Sequence, residues 1–224
     1  MAAEWILGID DAGRGPVLGP MVLAGCLVTP ELEKKFKNLG IKDSKQLTPK
    51  RREMLAEKVK EMAETFEIVL ATPKEIDSNF NEGSNLNKLE ARKMAEIINR
   101  VNKGYTKIKV VIDCPSTGIA KWTDYLRTHI ENLSNLEIVC EHKADQNHIA
   151  VSAASIIAKH IREFEMDKLR EKYGREIGSG YSSDPATIKY LEYHADKHGE
   201  DGLFRKTWET WKVAFNKLGQ KRLS

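Results

Sequence analysis

Apolar runs and apolar spacings divide this chain into short strands and amphipathic helices. Residues 5–10, Trp-Ile-Leu-Gly-Ile-Asp, form an apolar run of strand length. A glycine- and proline-rich run from Gly13 to Pro20 follows, and then a second apolar run, Met21 to Val28, which ends at Thr29-Pro30. Two such runs joined by a loop predict a hairpin-like pair. Thr48-Pro49 is a helix start, with threonine as the cap and proline at the first helical position, where no N–H is needed. Leu55, Val59, Met62 and Phe66 recur at helical spacing and give that helix one apolar face. Residues 67–71 read as a short strand. Asn85 caps a further helix that turns Leu86, Leu89, Met94, Ile97 and Val101 inward. Residues 107–113 are a strand, Ile119, Trp122, Leu126 and Ile130 mark a helix, and residues 136–141 are another strand. A long helix then runs from Ile149 to about Lys172. Near its start the small residues of Val151-Ser152-Ala153-Ala154-Ser155 let it lie close against a sheet.

The resulting order is β-β-α-β-α-β-α-β-α, an α/β fold. Strands that alternate with helices pair in parallel, whereas the first two strands pair antiparallel. The expected architecture is a mixed five-stranded sheet flanked by helices, with the first strand at its centre. After Tyr173 the pattern changes. A loop from Gly178 leads to an Asp184 cap and to Pro185 at a first helical position. Two helices follow, the second carrying Trp208, Trp211, Phe215 and Leu218. This tail is too small to fold alone. The chain therefore divides into a main domain, 1–173, and a small C-terminal helical extension, 174–224, packed on it.

Bulk properties narrow the possibilities. Hydrophobic residues make up 41% of the 224 positions and charged residues 31%, enough for a core beneath a charged surface. No apolar stretch reaches the roughly 18 residues of a membrane span. The start, Met-Ala-Ala-Glu-Trp, lacks the basic and apolar regions of a signal peptide, so a cytoplasmic location is expected. Cys26, Cys114 and Cys140 lie in or beside apolar runs without a C-x-x-C spacing, which points to buried small residues rather than zinc or disulfides. A net charge of +3 says little about partners. Lysines and arginines crowd residues 34–52 and close the chain at Lys217, Lys221 and Arg222. They suit either phosphate contacts or solvated helix faces.

The carboxylates carry more. Asp10 ends the first strand and Asp113 another. If those strands are parallel neighbours, both acids emerge at one sheet edge, where open α/β sheets place their sites. Asp145 follows the last strand and opens the long helix, where the dipole favours it and where it would equally serve as a cap. Asp10-Asp11 puts two like charges at the end of an apolar strand, and they repel unless a cation sits between them. Carboxylates without His or Cys describe a hard-cation site for Mg²⁺ or Mn²⁺. Two such ions about 4 Å apart can activate water and stabilise the leaving oxygen of a phosphodiester.

Several segments together resemble the type 2 ribonuclease H (ribonuclease HII) family, especially its archaeal members. They are Gly8-Ile9-Asp10-Asp11-Ala12-Gly13-Arg14-Gly15-Pro16, Lys42-Asp43-Ser44-Lys45-Gln46-Leu47, Val111-Ile112-Asp113, Glu141-His142-Lys143-Ala144-Asp145, the run from Val151 to Lys159, and Gly178-Ser179-Gly180-Tyr181. They occur in the family's order. The resemblance implies a ribonuclease H-like catalytic domain over 1–173. It implies cleavage of RNA in RNA–DNA hybrids and incision on the 5′ side of ribonucleotides embedded in duplex DNA, by two metal ions, leaving 3′-hydroxyl and 5′-phosphate ends. The family's metal-binding acids fall on Asp10, Asp11, Asp113 and Asp145. Its glycine-arginine-glycine motif falls on Gly13, Arg14 and Gly15, its phosphate-contacting loop on Ser44 and Lys45, and its junction-sensing tyrosine on Tyr181. Glycines there let backbone groups approach the sugar whose 2′-hydroxyl marks RNA. His142 and His148 flank Asp145 and receive no role.

At Asp11 the family pattern has glutamate. Aspartate keeps the charge but is one methylene shorter, and consecutive strand residues point to opposite faces. The alternative expectation is a catalytically weakened, hybrid-binding variant. Ser182 stands where proline is usual. The expected partners are RNA–DNA hybrid and ribonucleotide-containing duplex, with no membrane and a monomeric chain. The end of the chain, Gln220-Lys221-Arg222-Leu223-Ser224, lacks the aromatic pair of a sliding-clamp-binding segment, so such a contact is not evident.

Overall fold

The first strand of the chain is also the middle strand of its sheet. A computed structural model of the protein describes residues 5–41, 47–198 and 201–223. β1 (Trp5–Ala12) lies between β2 (Met21–Val28) and β4 (Ile108–Asp113), and the full order is β3-β2-β1-β4-β5, with β3 (Thr65–Ala71) and β5 (Leu136–Glu141) at the edges. β1 is antiparallel to β2 and parallel to β4, and β4 is parallel to β5. The mixed five-stranded α/β sheet expected from the pattern is therefore present. Its helices include α1 (Pro30–Asn38), α2 (Pro49–Met62), α3 (Pro73–Asn81), α4 (Leu86–Val101), α5 (Ile119–Arg127), α6 (Ala144–Asn147), α7 (Ile149–Tyr173), α8 (Pro185–His194) and α9 (Glu209–Leu223).

Four elements differ from the sequence expectation, each for a local reason. Both α1 and α3 were unanticipated. They start as α2 does, at a Thr-Pro pair: Thr29 Oγ1 accepts from Leu32 N at 3.2 Å and Thr72 Oγ1 from Glu75 N at 3.2 Å, matching Thr48 and Arg51 N at 3.3 Å. Phe66, spaced to extend α2, lies in β3 instead, because the chain turns extended at Ala63. Asp145 does not open the long helix. Lys143 takes a left-handed conformation (φ 58°), the four-residue α6 follows, and the extended His148 separates it from α7.

The structure groups into two compact units. The first takes the described residues of Met1–Ala12, Val22–Leu70 and Asn87–Ile161; the second takes those of Gly13–Met21, Ala71–Leu86 and Arg162–Ser224. In the first unit, Val22, Ala24, Cys26 and Val28 of β2 share a core with Phe36, Leu55 and Val59 and with Ala153, Ala154 and Ile157 of α7. The start of α7 touches β1 with no spare room. A Cβ added at Gly8 would stand 2.1 Å from the carbonyl carbon of Ala150 and 2.3 Å from Val151 N. The small-residue stretch of α7 serves this close approach. In the second unit, Val17 and Leu18 are buried with Met166, Ile177, Tyr190, Leu191, Leu203 and Phe204. A loop near the N-terminus thus shares one apolar core with the tail.

Candidate active site

The parallel ladder between β1 and β4 ends with the pair Ile9 and Ile112. Asp10 and Asp113 come next on each strand and so leave the sheet at the same edge. On its other side β1 continues to pair with β2 as far as Ala12 and Val22, and Asp11 faces Leu23 there. Beyond Ile9, β1 is therefore held by one neighbour only, which opens the side where β4 ends. Asp113 in turn faces Glu141 at the end of β5.

Asp10 is buried, with 5% of its surface exposed, while Asp11 is half-buried, as strand alternation requires. The Asp10 carboxyl is held well above the usual carboxylate range. Burial is the main cause, and the charges of Asp11 and then Asp113 add to it. A hydrogen bond with Ser155 and one from Asp11 N, 2.7 Å from Oδ1, offset part of this. Asp113 Oδ1 accepts from Ala144 N at 3.2 Å, which ties β4 to the turn before Asp145. Asp145 is also buried, and its carbonyl accepts from Ser152 of α7. Asp10 thus feels the charges of both Asp11 and Asp113, and Asp145 adjoins the residue that holds Asp113.

Nearby groups are polar and already engaged. Glu141 Oε1 meets His148 Nε2 at 3.1 Å and accepts from Asn147 Nδ2 at 3.0 Å. His142 Nδ1 lies 3.0 Å from the Cys114 carbonyl oxygen. Among the described residues, no group of three or more His, Cys, Asp or Glu side chains is arranged to hold a metal ion as it stands. The donor chemistry nonetheless fits a hard divalent cation. The donors are all carboxylate oxygens, and burial and crowding penalise the negative charge of Asp10, a penalty that a cation reverses.

The glycine-arginine-glycine residues and Tyr181 lie in the second unit. Gly13 has φ +83°, and a Cβ there would meet Arg162 at 2.4 Å and the Pro20 carbonyl at 3.0 Å, so only glycine fits. Gly15 is exposed and lies beside Tyr181, whose Cε1 would be 3.8 Å from an added Cβ. The exposed Tyr181 ring rests on the buried Arg162 guanidinium at 5.0 Å, and Arg162 Nη2 donates to Ser179 O at 3.1 Å. The structure therefore brings Gly15 and Tyr181 together. Ser44 and Lys45 lie outside the described residues.

A sequence model of the family described as ribonuclease HII matches residues 7–211. The chain belongs to the ribonuclease HII family. It is 41% identical over 220 residues to the ribonuclease HII of Thermococcus onnurineus (strain NA1), covering 96% of this chain and 92% of that protein. Among solved structures it resembles ribonuclease H2 from Pyrococcus horikoshii OT3, with TM-score 0.85 and 35% identity over 96% of this chain and 99% of that one. It also resembles the structure of a PCNA:RNase HII complex from Archaeoglobus fulgidus, with TM-score 0.79 and 35% identity over 91% and 95% of the two chains. Membership makes the chain a nuclease with ribonuclease H activity on RNA–DNA hybrids, of a family that depends on divalent metal. No described helix is long and apolar enough to cross a membrane.

Several side chains beyond the residues expected from the sequence organise these two regions. Ser155 and Ser152 reach the acidic cluster, and Arg162, Arg205 and Trp208 surround the glycine-arginine-glycine loop. The serines sit in the small-residue stretch of α7, which both packs closely on β1 and belongs to the segments that resemble the family. Nothing in the sequence marks the others.

Proposed function

We propose that Asp10, Asp11, Asp113 and Asp145 hold Mg²⁺ or Mn²⁺, two ions with substrate bound, and that the chain cuts on the 5′ side of ribonucleotides embedded in duplex DNA as well as within RNA–DNA hybrids. The observation that carries this reading is the emergence of Asp10 and Asp113 at one edge of adjacent parallel strands, with Asp11 close enough to raise Asp10. When bound, the ions supply an activated water for in-line attack and neutralise the leaving 3′-oxygen, which gives 3′-hydroxyl and 5′-phosphate ends.

The protein's own groups do the remaining work. Ser155 and the Asp11 amide fix the Asp10 carboxylate, and the Ala144 amide fixes Asp113. These hydrogen bonds orient the acids before substrate arrives. Gly13 and Gly15 let the backbone approach a ribose closely enough for its 2′-hydroxyl to be read. Arg14 is assigned to a phosphate by the resemblance, a contact that suits a guanidinium. Tyr181 offers a flat ring to the following sugar, where a deoxyribose fits better than a ribose. Ser44 and Lys45 are assigned to phosphate contact by the resemblance alone.

A second reading, a weakened hybrid-binding variant, is favoured by one observation. Asp11 sits on the face opposite Asp10, and its arm is shorter than the family's glutamate.

The test is cleavage mapping on two labelled duplexes in Mg²⁺ and in Mn²⁺, one with a single ribonucleotide in DNA and one with a long RNA–DNA hybrid. The proposal expects a single cut on the 5′ side of the lone ribonucleotide and many within the hybrid. Binding without product in either metal selects the second reading.

A further inference from the structure

Three successive carbonyls of the Gly13-Arg14-Gly15 loop are taken by side chains from near the end of the chain. Arg205 Nη2 donates to Gly13 O at 2.6 Å, Arg205 Nη1 to Arg14 O at 2.8 Å, and Trp208 Nε1 to Gly15 O at 3.1 Å. Arg205 Nε also donates to Gly19 O at 3.0 Å, where the loop leads into β2. All these residues belong to the second unit.

The clamp is itself held. Arg205 is completely buried, and a buried guanidinium is tolerated when its donors are satisfied, as these are by carbonyls. Its cation lies 5.1 Å from the Trp208 ring centroid, and Trp208 packs edge-on against Phe80 of α3. Asp77, also of α3, accepts from Lys206 N at 2.9 Å and from Thr207 N at 3.0 Å, which fixes the turn between Arg205 and Trp208. Arg205 N donates to Val17 O at 2.9 Å, so the two segments are joined through backbone as well.

The consequence follows from peptide geometry. In a planar trans peptide, the C=O of one residue and the N–H of the next point in opposite directions. With the Gly13 and Arg14 carbonyls drawn toward Arg205, the N–H groups of Arg14 and Gly15 face away from it. Pro16 contributes no N–H. The two peptide planes thereby share one orientation, with their N–H groups turned away from the Arg205 guanidinium.

We propose that Arg205 and Trp208 are positioning residues that lock the Gly13-Arg14-Gly15 peptide planes in this orientation, and so set the preference for a ribonucleotide over a deoxyribonucleotide. This rests on the reading, given above, that the loop approaches the ribose. Neither residue touches substrate. Each acts through the loop.

The test measures binding by fluorescence anisotropy of two duplexes that differ only in one ribonucleotide, using Asp113→Asn as the background so that nothing is cut. The readout is the ratio of the all-DNA Kd to the ribonucleotide-containing Kd. Trp208→Phe keeps the ring against Phe80 and Arg205 but removes the N–H, and should lower the ratio about five-fold, the worth of one hydrogen bond. Arg205→Lys, which keeps the charge but cannot span three carbonyls, should lower it further. The all-DNA Kd should stay unchanged in both. If Arg205→Lys does not fold, Trp208→Phe decides the question. A ratio that holds at its starting value in the folded variants overturns the inference alone. A ratio of one before either substitution overturns the reading of the loop, and the inference with it.

Discussion

Asp10 and Asp113 leave the sheet side by side, because their predecessors Ile9 and Ile112 form the last pair of the parallel ladder. Asp11 stands next to this pair but on the opposite face of β1, and its short side chain must reach around the strand end to share a metal ion with Asp10. Asp11→Glu restores the missing methylene. The expected outcome is a rise of about ten-fold in single-ribonucleotide cleavage, in Mg²⁺, Mn²⁺ or both. Initial rates in the two metals check it. Unchanged or lower rates in both remove the geometric argument about residue 11.

Ser155 is fully buried and hydrogen-bonds the Asp10 carboxylate. Groups that orient a metal ligand in this way typically contribute 10- to 100-fold in affinity or activity. Ser155→Ala should therefore shift the metal concentration for half-maximal cleavage upward by about ten-fold, with little change in thermal midpoint. A metal titration of cleavage reads the shift. An unchanged midpoint of that titration would reduce Ser155 to a packing residue.

Gly8 tests the close seating of α7 on β1. Its missing Cβ is replaced by the backbone of Ala150 and Val151, neither of which can move without lifting the helix. Gly8→Ala should destabilise the fold by about 3 kcal/mol or more, the upper end of overpacking effects. Urea unfolding followed by circular dichroism measures this, and a loss of less than about 1 kcal/mol would show that the seat has slack.

The cysteines should be inert in the native protein. Burial pushes the Cys26 thiol up to about 12, with the charge of Glu33 adding to it, and the Cys140 thiol up to about 11, again chiefly through burial. A raised thiol pKa depletes the thiolate, the reactive form, so at pH 8 Cys26 holds about one thiolate in ten thousand. Cys114 is buried as well. A disulfide-exchange reagent at pH 8 should find no rapidly reacting thiol in the folded chain, and all three cysteines after denaturation. Rapid native reaction at Cys26 would contradict its placement.

The sheet was readable because each strand is a short apolar run with punctuation at its ends, and the sheet's centre followed from the β-β-α order. Asp10 and Asp113 were readable because a charge that closes such a run has to lie at a sheet edge. The same Thr-Pro signal that marks α2 also starts α1 and α3, but Thr29-Pro30 equally closes the apolar run of β2, and α3 is only nine residues long. Phe66 misled because its spacing from Met62 suits a helix as well as a break. Asp145 was expected to open the long helix, but a left-handed Lys143 and an extended His148 isolate it in α6. Those backbone choices have no signature in residue type. Arg205 was least readable of all. Its carbonyl partner in Arg14 is 191 positions away, and along the sequence a buried arginine looks like any surface cation.

The central claim is that the aspartates at this sheet edge are the metal-dependent cutting site. The most direct measurement is cleavage of a single-ribonucleotide duplex across a Mg²⁺ titration, comparing the unsubstituted chain with Asp113→Asn, which keeps an acceptor for the Ala144 N–H while removing the charge. The expected result is cleavage that rises from zero in chelator with added Mg²⁺ in the unsubstituted chain. For Asp113→Asn, of matched thermal midpoint, cleavage should be at least about 100-fold slower at every concentration. Cleavage that persists in chelator, or a folded Asp113→Asn chain that cuts at the unsubstituted rate, would contradict the claim.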